Sequence, residues 1–382
     1  MRFADIIGFD DVKSALLQAI QQGHVAHAQL FAGNEGSPNL ALALAYATYL
    51  NCEDRQPDDS CGRCPSCVKF NHLVHPDLHF VFPSATLKGV EKDRQAAEIT
   101  KRWREFAKTH LYDCLSDWSE FIGSDNRQPN ISVEESRNIV RSLSLKAFEA
   151  EYKILLMWLP ECMNIQSANA ILKILEEPPA KTLFLLVSHN PEKLLITILS
   201  RTQMVRIRPF EMDELVAYLV QHQWCDETKA QLVAPLAEGN LSKALQLSQE
   251  KSNNYHAMVT QWLRLCYGRK FQELVDYTEE FQKLGREAQK SFLHYGLALL
   301  REVFIQQLAA EGLQRVGGEA LDFAQKFSRT LGPSETEQVS KWLNEAYYHI
   351  ERNANPKIVM LDTSLQISHL MFQARQENKE SV

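Results

Sequence analysis

Five short apolar runs, at 28–32, 78–82, 153–157, 183–187 and 204–208, recur through the first 208 residues, with helix-like stretches between them. That alternation predicts an α/β domain built on a mostly parallel five-stranded sheet with helices on both faces. Pro209 follows the last run, and from Glu211 the spacing of Leu215, Leu219, Leu232 and Leu236 turns helical. A small helical domain is therefore expected over 209–252. Beyond Asn253 the chain reads as long amphipathic helices with no strand signal, giving an all-α domain over 253–374 and a polar tail, 375–382, expected to fray. A further segment, 84–128, interrupts the α/β pattern between the second and third strands. It is charged but carries Trp103, Phe106, Tyr112, Trp118 and Phe121, too many aromatics for disorder, and reads as an inserted helical element.

At 382 residues, 45% hydrophobic and 23% charged, the chain has enough apolar material for more than one core. No stretch approaches the roughly 20 uninterrupted apolar residues that a membrane span requires, and Asp5 stands where a secretory apolar region would begin, so a cytoplasmic location is expected. A formal charge of −7 argues against DNA binding driven by charge over the whole surface.

The loop after the first strand, Gly33-Asn34-Glu35-Gly36-Ser37-Pro38-Asn39-Leu40, opens a helical run and sits where a phosphate-cradling loop belongs. The pattern G-x-x-x-x-G-K-[ST] needs a second glycine for close backbone approach, a lysine for the phosphates and a hydroxyl for magnesium. Here those positions hold Pro38, Asn39 and Leu40. Ser37 and Pro38 suit an N-cap and first helical residue, so the helix start is kept while the phosphate chemistry is lost. At the end of the third strand an ATPase would carry a carboxylate pair to hold hydrated magnesium and polarise water. Trp158 and Leu159 do neither, and Glu161, beyond the strand, is expected to be solvated.

Of eight cysteines, four cluster as Cys52-x8-Cys61-x2-Cys64-x2-Cys67. Without a secretion signal such spacing reads as metal ligands before disulfides, and four convergent thiolates suit tetrahedral zinc. A closed sulfur shell leaves no open position, so the site over 52–67 is expected to staple a loop and not to catalyse. His72 or His75 replacing one thiol stays an alternative. In the inserted element, Lys101-Arg102-Trp103-Arg104 offers cations beside an aromatic, a mix able to grip a phosphate backbone and stack on a base, or simply a solvated helix face.

Phe3-Ala4-Asp5-Ile6-Ile7-Gly8, His27-Ala28-Gln29-Leu30-Phe31, the run from Asn164 to Lys173, Leu175-Glu176-Glu177-Pro178-Pro179 and Glu351-Arg352-Asn353-Ala354-Asn355-Pro356-Lys357 together resemble bacterial DNA polymerase III clamp-loader subunits, most of all the delta-prime family. The resemblance covers nearly the whole chain and implies an AAA+ fold followed by a small helical lid and an all-α collar. It implies a subunit that has lost its own ATPase residues, is catalytically silent by itself, and neither binds nor hydrolyses ATP. The family carries a Ser-Arg-Cys motif whose arginine reaches the ATP site of the neighbouring subunit. Ser200-Arg201-Thr202 matches two of its three positions and makes Arg201 an arginine finger in trans. The bland alternative is an arginine bonding free carbonyls at a helix end. Ser188 or His189 falls at the first sensor position, and Ser242 stands where active relatives carry a second-sensor arginine. The family also carries a zinc module at the position of the cysteine cluster.

The resulting expectation is a heteropentamer with gamma/tau-type ATPase subunits and a delta subunit, acting on the sliding clamp and primed DNA. Two alternatives remain, an AAA+ ATPase with a divergent nucleotide site and a zinc-containing DNA-binding protein.

Overall fold

The computed structural model describes residues 1–85, 87, 91–124, 129–143, 147–249, 255–308 and 318–380. Parts of the expected insertion (86, 88–90, 125–128), the expected boundary at 252–253 and the last two residues of the tail lie outside the described residues. The chain divides into two compact units, 1–218 with 239–243, and 219–238 with 244–382.

The first unit is built on β1 (Ala28–Ala32), β2 (Leu78–Val81), β3 (Lys153–Trp158), β4 (Thr182–Ser188) and β5 (Gln203–Arg206). They lie in the order β2-β3-β4-β1-β5, and every pairing is parallel. The strands fall on the five apolar runs, with no end moved by more than two residues. The largest changes are at β5, which ends at Arg206, and at β4, which extends to Thr182 and Ser188. β3 and β4 are buried along their whole length, as the inner strands of a doubly covered parallel sheet must be.

Around the sheet run α1 (Asp10–Gln21), α2 (Asn39–Leu50), α3 (Pro65–Asn71), α4 (Lys92–Thr109), α5 (Leu115–Phe121), α6 (Val133–Leu143), α7 (Ile165–Glu176), α8 (Ile196–Leu199) and α9 (Met212–Gln221). α2 packs against β1, β3 and β4, and all of its residues are buried, consistent with a helix that is apolar on every side. A second core joins the sheet to Ile139 and Leu143 of α6, Ile171 and Leu175 of α7 and Ile198 of α8.

The second unit is helical: α10 (Glu227–Ala237), most of α11 (Leu241–Gln249), α12 (Tyr255–Gly268), α13 (Phe271–Lys283), α14 (Arg286–Gln307), α15 (Gly318–Phe327), α16 (Pro333–Glu351) and α17 (Pro356–Glu380). Its core holds Trp262, Phe281 and Phe292, and the Trp262 indole N–H donates to Ser364 Oγ at 2.8 Å. The segment 209–252 does not separate as a lid; its helices are divided between the two units. The tail also departs from expectation, since α17 remains helical to Glu380. Gln376, Glu377, Lys379 and Glu380 are good helix formers, and extending an existing helix adds one hydrogen bond per residue without a new nucleation cost. Among the described residues no helix is long and apolar enough to cross a membrane.

Candidate functional site

The loop between β1 and α2 buries Ser37 and Asn39. Asn39, at the lysine position, is fully buried, and its Nδ2 donates to Gly33 O at 2.8 Å and to Ser188 O at 3.4 Å. The amide therefore ties the loop to the ends of its own strands. Neither Asn39 Oδ1 nor the buried Ser37 hydroxyl has a hydrogen-bond partner in the protein. The helix starts one residue later than expected. Pro38 is its N-cap, Asn39 N–H bonds Ser37 O at 2.9 Å, and Ser37 Oγ caps nothing. Gly36 adopts φ +78°, and a Cβ there would stand 2.7 Å from Asn240 Cα. The glycine thus serves the contact of the loop with the start of α11, where Leu241 N–H donates to Gly36 O at 3.1 Å. Leu40, at the hydroxyl position, is buried in the core.

At the end of β3, Trp158 and Leu159 are both buried. Leu159 takes a left-handed conformation (φ 54°) that turns the chain into the following 3₁₀ segment. Glu161 corrects the expectation of a solvated side chain. One carboxylate oxygen accepts the backbone N–H groups of His189 (2.9 Å) and Asn190 (3.1 Å), fastening the turn after β4 to the turn after β3. Ser188 is buried, and its hydroxyl accepts the Asn190 N–H at 3.2 Å. His189 packs its ring against Trp158, 6.3 Å between centroids, and burial lowers its pKa to about 4. Ser242 donates to Asp113 Oδ1 at 2.5 Å.

Arg201 is partly exposed. It follows α8, and its side chain is 32% exposed. Nε and Nη2 donate to one oxygen of Glu176, at the end of α7, at 3.1 and 2.9 Å. Nη1 donates to Thr197 O at 3.1 Å and Ser200 Oγ at 3.3 Å. The helix-end carbonyl contact of the bland alternative is thus present, and the side chain stays partly exposed. Thr202 turns its hydroxyl back to Ile198 O and Leu199 O and takes no part.

The four clustered thiols converge. All four sulfurs lie within 4.8 Å of one another, with Cys61 and Cys67 at 3.9 Å. Tetrahedral zinc with bonds of about 2.3 Å sets its sulfurs about 3.8 Å apart, so the residues fit that ion. Three backbone N–H groups, of Cys61, Cys64 and Cys67, donate to the sulfurs of Cys52, Cys61 and Cys64, each at 3.3 Å. Burial opposes ionisation of Cys61, but hydrogen bonds from the N–H groups of Arg63 and Cys64, together with those of the Cys52 and Cys64 thiols, outweigh it and bring the thiol down to about 7. Neither histidine joins the cluster. His72 is exposed, and His75 is buried against Phe70 with Nδ1 accepting the Asp77 N–H at 3.1 Å.

The inserted element corrects one expectation. Trp103 is fully buried and stacks on Phe82, 4.5 Å between centroids, so it is not available to a base. On α4, Ile99, Trp103, Phe106 and Ala107 form one buried face, and the neighbouring cations project elsewhere. That spacing was available in the sequence as a signal. In the helical unit, Trp342, Tyr347, Tyr348 and Phe372 are none of them fully buried, and Arg352 lies 4.3 Å over the Tyr348 ring.

A five-stranded parallel sheet with a glycine-containing loop after β1, and a second unit made only of helices among the described residues, is the fold expected of a clamp-loader subunit. The family model described as DNA polymerase III, delta subunit, matches residues 9–211, more than half of the chain, and the chain belongs to that family, as a clamp-loader subunit of the delta-prime type. It is similar to DNA polymerase III subunit delta' of Escherichia coli K12, 24% identical over 361 residues with 93% of each chain covered. The corresponding Yersinia pestis subunit is 32% identical over 182 residues, covering 47% of this chain and 40% of that one. DNA polymerase III subunit tau of E. coli K12 is 28% identical over 254 residues, 65% of this chain but 32% of the relative, so the match spans about a third of the tau subunit.

Proposed function

We propose that this subunit does not hydrolyse ATP and lends Arg201 to the nucleotide site of an adjacent tau/gamma-type ATPase subunit, within an assembly that loads a sliding clamp onto primed DNA. The supporting observation is the contrast within one unit. The phosphate loop has no cation and buries Asn39 where a lysine would reach phosphate, whereas Arg201 is solvent-facing and oriented by Glu176. A guanidinium delivered in trans stabilises charge on a transferring phosphoryl group, worth about 10³ to 10⁵ in rate where such fingers have been dissected. Ser200 orients it from beside, through the 3.3 Å contact to Nη1. Cys52, Cys61, Cys64 and Cys67 would hold a structural zinc ion, which closes the loop between α2 and α3 and has no coordination site left for chemistry. The partners in this reading are the tau/gamma-type and delta subunits of a heteropentamer in the cytoplasm.

The test is reconstitution with the partner subunits, comparing wild type with Arg201→Ala and Arg201→Lys. The expected result is normal assembly by gel filtration with DNA-stimulated hydrolysis reduced in both variants, more in the alanine. Unchanged hydrolysis in Arg201→Ala removes the assigned role. Turnover of ATP by the purified wild-type chain, growing with its purity, would instead favour the divergent-ATPase reading.

A further inference from the structure

In a parallel sheet of this kind, ligands bind in the crevice outside the carboxyl ends of the strands. Here that crevice would be bounded by the phosphate loop, the end of β3 and the start of α11. The inserted helices α4 and α5, with the turn between them, reach the end of β3 and the start of α11. At the end of β3, Trp158 stands at the first carboxylate position and packs on Trp103 and Phe106, with centroids 4.9 and 5.9 Å apart. Trp103 and Phe106 in turn contact Trp118 at 5.5 and 5.0 Å, and the Trp118 N–H donates to Pro83 O at 2.7 Å. At the start of α11, Asp113 accepts the hydroxyl proton of Ser242 at 2.5 Å while its other oxygen meets His110 Nδ1 at 2.5 Å. At the phosphate loop, burial and then the charge of Asp117 raise the pKa of Glu35. Tyr112 is buried against Phe210 and Tyr218.

The geometry points to a plug: the α4–α5 element occupies the nucleotide crevice and holds it shut against α11. This rests on the reading of a silent site and deepens it. Silence would then be steric as well as chemical, and the tryptophan that replaces a magnesium-binding carboxylate would be the floor on which the plug sits. The three aromatic side chains are fully buried, whereas a nucleotide site must remain open to solvent on the side from which its ligand enters.

The experiment restores the loop chemistry in the full chain with Pro38→Gly, Asn39→Lys and Leu40→Thr, and measures binding of fluorescent N-methylanthraniloyl-ATP with magnesium. A second chain carries the same three changes with residues 92–124 replaced by a Gly/Ser linker, its folding checked by circular dichroism. The plug predicts no binding above wild type in the first chain and at least tenfold tighter binding in the second. Tight binding by the first chain, or none by a folded second chain, overturns the plug. Binding by the wild type itself would instead overturn the silent-site reading, so the two failures are distinct. Should the linker chain fail to fold, amide hydrogen exchange replaces it. Peptides 33–40 and 103–118 should then open at rates within about twofold, both accelerated by Asp113→Ala. Exchange of 33–40 tenfold faster than 103–118, or unaffected by Asp113→Ala, overturns the plug.

Discussion

The phosphate loop and the Arg201 cradle belong to the same sheet unit and were shaped in opposite ways. At the loop, each group placed to meet a nucleotide has become packing. Asn39 bonds its own strand ends, Leu40 is core, Gly36 makes room for Asn240, and Trp158 carries aromatic rings. At the cradle, a strong donor fork is left 32% exposed and held by a carboxylate that is itself 59% exposed. A charge meant for an incoming ligand must stay hydrated until the ligand arrives, because burying it unpaired costs several kcal/mol. A site that binds no nucleotide, as proposed for this loop, has no such requirement and can collapse. In the proposed function, the contrast separates a surface kept for use from one given over to stability.

The largest perturbation should come from the cysteine knuckle. Structural zinc in small modules binds with apparent free energies of order 10 kcal/mol, and that energy is local folding energy. Chelation, or Cys67→Ala, is expected to release one zinc per chain by atomic absorption and to unfold the segment around 52–71. The Arg201 dependence of reconstituted hydrolysis should persist. Loss of that dependence on chelation would tie cradle and knuckle together and spoil the separation. Next in size, Arg201→Ala should reduce hydrolysis at the one neighbouring site by about 10³, or about 4 kcal/mol, with stability unchanged in a thermal melt. A destabilised Arg201→Ala chain would mean that the arginine serves its own fold.

Much of this contrast could be read in the sequence, and the part that could not has a common cause. The strands were visible as apolar runs because parallel strands are buried on both faces, and the knuckle was visible because its four ligands lie within one short segment. The loss of lysine and carboxylates was equally local. What stayed hidden is pairing over long separations. Glu176 meets Arg201 across 25 residues, Ser242 meets Asp113 across 129, and neither partner is marked by spacing. Trp103 was misjudged for a different reason. Its neighbours in sequence are cations, but its neighbours on the helix face are Ile99, Phe106 and Ala107, and the helical period outweighs adjacency. Glu161 reads as solvated because nothing in the sequence shows the N–H pair of His189 and Asn190 folding back on it.

The closed crevice should also have a titration signature. His189 is buried and neutral, its pKa lowered from the ordinary 6.5 to about 4. Between those values the unfolded chain binds a proton that the folded chain does not, so stability falls as pH drops from 6.5 to 4, by about 3 kcal/mol in total. Above pH 6.5 the group has no effect. Denaturant melts from pH 7 to 4 should therefore show a loss in wild type that is smaller in His189→Gln. Parallel profiles for the two chains would place His189 in contact with water and argue that the crevice is open.

The smallest effect tests the cradle itself. An exposed ion pair contributes less than about 1 kcal/mol, because solvent screens it and ordering two long side chains costs entropy. Glu176→Gln should then leave the thermal melt within experimental error. In the reconstituted assembly it should alter hydrolysis by no more than about threefold, since the backbone oxygen of Thr197 and the hydroxyl of Ser200 still orient the guanidinium. The size of the effect carries the argument. If Glu176→Gln removed as much hydrolysis as Arg201→Ala, the carboxylate would be part of the delivery of the arginine and not merely its resting place. The cradle would then be as specifically built as the crevice is closed, and exposure alone could no longer distinguish the two.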